Sequence, residues 1–122
     1  RFAKISVGAT ENLIIAASLA KGTTILTNCA IEPEIKDLVN FLIKMGCNIK
    51  WIAKRKIKIE GVTKVYELDY QVMPDRIEAG TYLVAAALTG GNLKVKGINP
   101  NIIKTEINVL KKIGAKIFQK KN

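Results

Sequence analysis

Three short stretches carry residue types that could do chemistry. Lys4-Ile5-Ser6-Val7-Gly8 sets a cation, a hydroxyl and a glycine just ahead of an apolar run. It reads as a strand end turning into a helix. Gly8 would let backbone approach a ligand, and free N–H groups at a helix start favour an anion. The plainer reading is an ordinary strand-to-helix turn capped by Thr10. Glu32 stands before Pro33, where an acid favours the start of a helix dipole. Asp75-Arg76 follows Pro74. Asp75 and Glu78 have capping-box spacing, and Arg76 reads as half of a surface or interdomain ion pair. Lys54, Arg55, Lys56 and Lys58 form the one dense basic cluster, read as solvated.

Composition removes several classes. The 122 residues hold no His, so neither a His-ligated metal site nor a Ser-His or Cys-His pair can be built from them. Cys29 and Cys47 sit in apolar-periodic segments without metal spacing and read as buried free thiols in a reducing compartment. The net charge of +10 invites a polyanion. Yet residues 1–61 and 62–122 each hold 10 basic and 5 acidic side chains, so the excess is a general Lys bias, not a patch. A basic module that binds RNA is the rival reading, but no aromatic stacking platform or GXXG loop supports it. No nucleic-acid partner is expected. The longest apolar run, Leu13 to Ala20, is broken by Ser18 and is far short of a membrane span, so no membrane partner is expected either. With Arg1 first and Asn122 just after an expected strand, both ends read as cut.

The elements that must position these residues come as a repeat. Leu13-Ile14-Ile15-Ala16-Ala17-Ser18-Leu19 returns in character as Tyr82-Leu83-Val84-Ala85-Ala86-Ala87-Leu88, and Leu42–Ile49 returns as Leu110–Ile117, each about 68 residues on. Two α/β units follow: residues 1–62, and an incomplete second unit over 63–122. In each, a first helix opens near Thr10 or Asp75 and closes near Gly22 or Gly91. A strand follows at Thr23–Thr27 or Asn92–Lys96. A second helix opens at Pro33 or Pro100 and ends at Gly46 or Gly114, ahead of strands at Cys47–Ile52 and Ala115–Gln119. Arg55–Glu60 closes the first unit, and Tyr66–Val72 alternates as one more strand. The first helices are apolar almost all round and should be buried on every side, while the Pro33 and Pro100 helices keep one wet face.

These residues also resemble a known family. Lys4-Ile5-Ser6-Val7-Gly8-Ala9-Thr10-Glu11-Asn12, Glu32-Pro33-Glu34-Ile35 with Asp37, and Pro74-Asp75-Arg76-Ile77-Glu78-Ala79-Gly80-Thr81 are similar, in wording and spacing, to the UDP-N-acetylglucosamine enolpyruvyl transferases of the enolpyruvyl transferase family. The resemblance implies an α/β (α+β) fold of repeated βαβαββ units in an inside-out barrel, inner helices buried and sheets outward. It implies a cytoplasmic enzyme of peptidoglycan synthesis that uses UDP-N-acetylglucosamine and phosphoenolpyruvate and needs no cofactor. Lys4, Ile5, Ser6 and Val7 match the family's UDP-sugar contacts, with Gly8 adjoining; Glu32, Asp75 and Arg76 are secondary candidates on the interdomain side. No catalytic residue is implied within this segment. The family's catalytic Cys loop would lie before it and its catalytic Asp after it, in remaining parts of the same chain, so the segment alone should be inactive.

Overall fold

The computed structural model describes residues 1–119; the last three residues of the expected second unit lie outside them. It forms two compact units, Arg1–Met73 and Pro74–Asn122.

In the first unit, α1 (Val7–Leu19) leads to β1 (Thr23–Thr27), α2 (Pro33–Lys44), β2 (Asn48–Ala53) and β3 (Lys56–Glu60). The sheet is antiparallel in the order β1-β3-β2, so β3 is the centre strand and pairs on both sides. Both helices pack on one face of it, as an antiparallel sheet with one solvated face allows. The core joins Ile14 and Ala17 of α1, Ile35, Val39 and Leu42 of α2, and Leu26, Ile49, Ile57 and Ile59 of the strands. Period 2 in β3 explains its part: Ile57 and Ile59 are buried, while Lys56 and Lys58 point to the other face. Helix α2 follows its sequence signals closely, with Pro33 at its start, Glu34 in the first turn and Lys44 in the last. Cys29 and Cys47 are buried free thiols. Ser18 costs the core little because its hydroxyl donates to the Ile14 carbonyl at 2.8 Å.

The second unit holds α3 (Arg76–Thr89), a 3-10 turn at Pro100–Ile103 and α4 (Lys104–Lys112). Ala79, Ile103, Ile107 and Leu110 are its buried apolar residues. Gly90, left-handed at φ 66°, closes α3, and Gly114 at φ 99° follows α4.

Several expectations need correction. Helix α1 starts at Val7 with Ser6 as its cap, not near Thr10, which is buried inside the first turns. The segments expected as strands at Asn92–Lys96, Ala115–Gln119 and Tyr66–Val72 form no ladder among the described residues. Alternation prepares a strand, but only a partner's N–H and C=O groups complete one. The apolar first helices are not enclosed either: α1 exposes Leu13, Ile15 and Leu19, and α3 exposes Ile77, Tyr82, Val84 and Leu88. In each unit the helix has neighbours on one side only. Among the described residues, no helix is long and apolar enough to cross a membrane.

Candidate functional site

The turn ahead of α1 is held from behind and open in front. The Phe2 N–H donates to the Thr27 carbonyl at 3.0 Å, and the Asn28 amide donates to the Phe2 carbonyl at 3.0 Å, so the entering chain is tied to the end of β1. Ser6 is extended, with φ −142° and ψ 127°, and turns the chain into the helix. Its hydroxyl accepts the Ala9 N–H at 3.3 Å, while its carbonyl accepts the N–H of Thr10 at 3.1 Å and the Thr10 hydroxyl at 2.7 Å. Among the described residues no protein acceptor takes the N–H of Val7 or Gly8. Lys4, Ile5, Ser6 and Gly8 are exposed and Val7 is half-buried. A Cβ built on Gly8 would have nothing within 4 Å, so no neighbour in the first unit demands a glycine there.

The β1–α2 loop lies at the same end of the unit. Thr10, expected as a cap, instead uses its hydroxyl oxygen to accept the Ala30 N–H at 3.0 Å, which ties that loop to α1. Arg55 does the same from the β2–β3 turn. Its guanidinium donates to the Cys29 carbonyl at 2.9 Å, and its own carbonyl accepts the Cys29 N–H at 3.1 Å. Arg55 is therefore not part of a solvated basic cluster, and Lys58 also has a partner, Glu60 at 2.7 Å. That Lys58 contact holds the Glu60 carboxyl below its usual range. Glu32 is the cap residue of α2, but its carboxylate accepts the N–H of its neighbour Ile31 at 2.7 Å and caps no helical N–H. Glu32 and the Lys4–Gly8 turn thus share one end of the first unit through the Thr10–Ala30 bond. Burial pushes the Cys29 thiol up, which makes it a poor nucleophile near neutral pH.

Asp75 and Arg76 belong to the second unit. The Asp75 carboxylate accepts the N–H groups of Ile77 at 2.7 Å and Glu78 at 3.1 Å, a full N-cap. Arg76 faces Glu106 of α4 at 3.9 Å. An open cleft of about 430 Å³ runs beside this helix start, lined by Asp75, Glu78, Tyr82, Lys94 and Lys96 among others. Two structural residues escaped the sequence reading. Asp37, named there only within a motif, receives two long-range hydrogen bonds, and Gly61 sits where no side chain fits. Neither has a local signal, because both depend on chain segments distant in sequence.

Comparison with known proteins places the fold in a family. The family profile of EPSP synthase (3-phosphoshikimate 1-carboxyvinyltransferase) matches residues 1–122. The UDP-N-acetylglucosamine 1-carboxyvinyltransferase of Pelagibacter ubique (strain HTCC1062) is 76% identical over 122 residues, which is 100% of this chain and 29% of that protein. Among solved structures, the enolpyruvyl transferase NikO from Streptomyces tendae superposes with a TM-score of 0.68 at 20% identity, over 88% of this chain and 26% of its own. The chain therefore has the fold of part of an enolpyruvyl transferase and spans 29% of the length of its curated relative.

Proposed function

The chain belongs to the EPSP synthase family, and we propose that it is a segment of a cytoplasmic UDP-N-acetylglucosamine enolpyruvyl transferase serving peptidoglycan synthesis. In that reaction the sugar 3-hydroxyl oxygen adds to C2 of phosphoenolpyruvate while C3 gains a proton, giving a tetrahedral intermediate. Loss of that phosphate and of a C3 proton restores the double bond. The reaction needs cations and amide donors for the substrates' anionic groups, and acid and base groups for the two proton transfers. This segment supplies the first kind. Lys4 is the cation, the N–H groups of Val7 and Gly8 are the donors, and Ile5 and Ser6 complete the contact strip for UDP-N-acetylglucosamine. Glu32 lies at the same end of its unit; Asp75 and Arg76 shape the start of α3. The two repeats are read as residues 1–62 and 63–122 of this larger enzyme, whose remaining parts carry the catalytic residues.

The observation that carries the assignment is the unspent hydrogen-bonding capacity of the turn: two helical N–H groups without protein acceptors beside an exposed Lys4. A charge-assisted contact to an anion contributes about 1.5–3 kcal/mol, so Lys4→Ala in the complete enzyme should weaken UDP-N-acetylglucosamine binding roughly ten- to hundred-fold. Titration calorimetry measures it, and unchanged affinity would reduce the turn to a connection. If the nucleotide is bound equally in ground and transition states, kcat should fall less than kcat/KM. The 122-residue segment alone should release no phosphate from phosphoenolpyruvate when UDP-N-acetylglucosamine is added.

A further inference from the structure

The stretch from Val62 to Met73 crosses the first unit without joining a helix or a strand. It is fastened by separate hydrogen bonds. The Val62 N–H donates to the Ser18 carbonyl at 2.9 Å, and the Tyr66 N–H donates to the Met45 carbonyl at 2.8 Å. Its last fastening is of another kind. One oxygen of the Asp37 carboxylate accepts the Tyr70 phenol at 2.8 Å, and the other accepts the Met73 N–H at 3.2 Å. The phenol also lies 3.3 Å from the Asp37 carbonyl. The Tyr70 ring meets Phe41 edge-on, with centroids 5.1 Å apart, and the Lys44 ammonium stands 5.0 Å from the ring centroid. Three residues of α2 thus hold one tyrosine, and a single carboxylate takes both donors.

We propose that Asp37 is a positioning residue: a two-point latch that fixes the end of the first unit at Met73, immediately ahead of Pro74 and the Asp75 cap of α3. Hydrogen bonds to an ionised acceptor are the stronger kind, and here they act where no ladder holds the chain. Aspartate is among the weaker helix formers, so α2 gains nothing from it in local propensity. The latch wants a neutral phenol. Donation to Asp37, burial and the negative charge beside it all push the Tyr70 phenol up from its ordinary range, while the Lys44 ammonium stands over the ring. A raised folded pKa means that this contribution is complete below the ordinary tyrosine range and is lost as pH rises through the raised value. The inference stands apart from the transferase reading, since it concerns how the chain is held.

The test is amide exchange and phenol titration on the 122-residue chain, with no nucleotide present. Asp37→Ala should speed exchange at the Met73 amide by about tenfold or more while leaving the amides of Ile57 and Ile59 unchanged. It should also bring the Tyr70 titration down toward that of an ordinary tyrosine. Asp37→Asn, with one acceptor oxygen, should fall between, and it carries the test should the alanine variant fail to fold. Tyr70→Phe keeps the ring contact and should leave the Met73 amide partly protected. Met73 exchange as fast in the unmodified chain as in the variants would overturn the latch. So would Ile57 and Ile59 accelerating in step with Met73, or a phenol titration that ignores Asp37.

Discussion

The two units repeat one sequence plan and reach different ends. The first closes a three-stranded sheet under two helices, whereas the second has its helices and, among the described residues, no sheet. The difference lies in the centre strand. β3 pairs with both β1 and β2, so those two strands never touch each other. The second repeat has strand-like sequence at 92–96 and 115–119, and neither segment is paired among the described residues. Outer strands such as β1 and β2 are joined only through a centre strand. The exposed Leu88 and Phe118 of the second unit are the same lesson in side chains. Strand sequence is local, but a sheet is a property of its partners.

The largest expected effect tests what closes the first unit. After β3 the chain passes so near α1's end that a Cβ on Gly61 would lie 1.6 Å from the Ala20 carbonyl oxygen. Two hydrogen bonds depend on that approach, Gly61 N–H to the Gly22 carbonyl at 3.0 Å and Val62 N–H to the Ser18 carbonyl at 2.9 Å. The obstacle is backbone, so no rotamer change relieves it. Gly61→Ala should destabilise the first unit by about 3–5 kcal/mol, at the upper end for a single substitution. Amide exchange should show lost protection at Ile57 and Ile59 and none at Ile107 and Leu110. Equal losses in both units would break the comparison.

Gly61 also shows where sequence reading stops. The helix over Pro33–Lys44 could be read directly, because Ile35, Val39 and Leu42 recur at helical spacing between charged residues. β1, β2 and β3 could be read from alternation to within a residue or so at their ends. The start of α1 was misplaced because Ser6 and Thr10 are both good capping residues, and what decides between them is Ala30, whose N–H claims the Thr10 hydroxyl. The exposed faces of α1 and α3 were misjudged for a related reason. An all-round apolar helix states what it could bury, not what lies beside it. For the candidate site, Lys4 to Gly8 stood out as a cation and glycine before a helix, whereas the unspent N–H groups of Val7 and Gly8 emerged only once the cap was known.

A middle-sized effect compares the two caps. Ser6 takes one helical N–H on its hydroxyl at 3.3 Å, while Asp75 takes two on its carboxylate at 2.7 and 3.1 Å. Removing a capping side chain costs about 0.5–2 kcal/mol, so Ser6→Ala should fall near the bottom of that range and Asp75→Ala near the top. Helicity and urea midpoints of the two variants measure the difference. A reversed order would mean that α1 leans on its cap more than on its core, against the complete burial of Ile14.

The smallest effect separates fold from function at two glycines. Gly80 lies within α3, and a Cβ there would meet only Glu106 Cγ at 3.8 Å, an ordinary contact. Gly8 lies in the first turn of α1 and would meet nothing within 4 Å. Neither has a positive φ. Alanine at such positions restricts the unfolded chain without straining the folded one, so Gly80→Ala and Gly8→Ala should each stabilise the 122-residue chain by about 0.4–1 kcal/mol. Stability alone would then favour alanine at both sites. If the turn before α1 receives the UDP-sugar, the two must part company in the complete enzyme. Gly8→Ala places a methyl beside the backbone N–H groups offered to the ligand and should weaken UDP-N-acetylglucosamine binding, whereas Gly80→Ala should leave it unchanged. Binding as tight in Gly8→Ala as in the unmodified enzyme would show that no ligand comes close at Gly8, and the anion would then have to be held by Lys4 without the helix start.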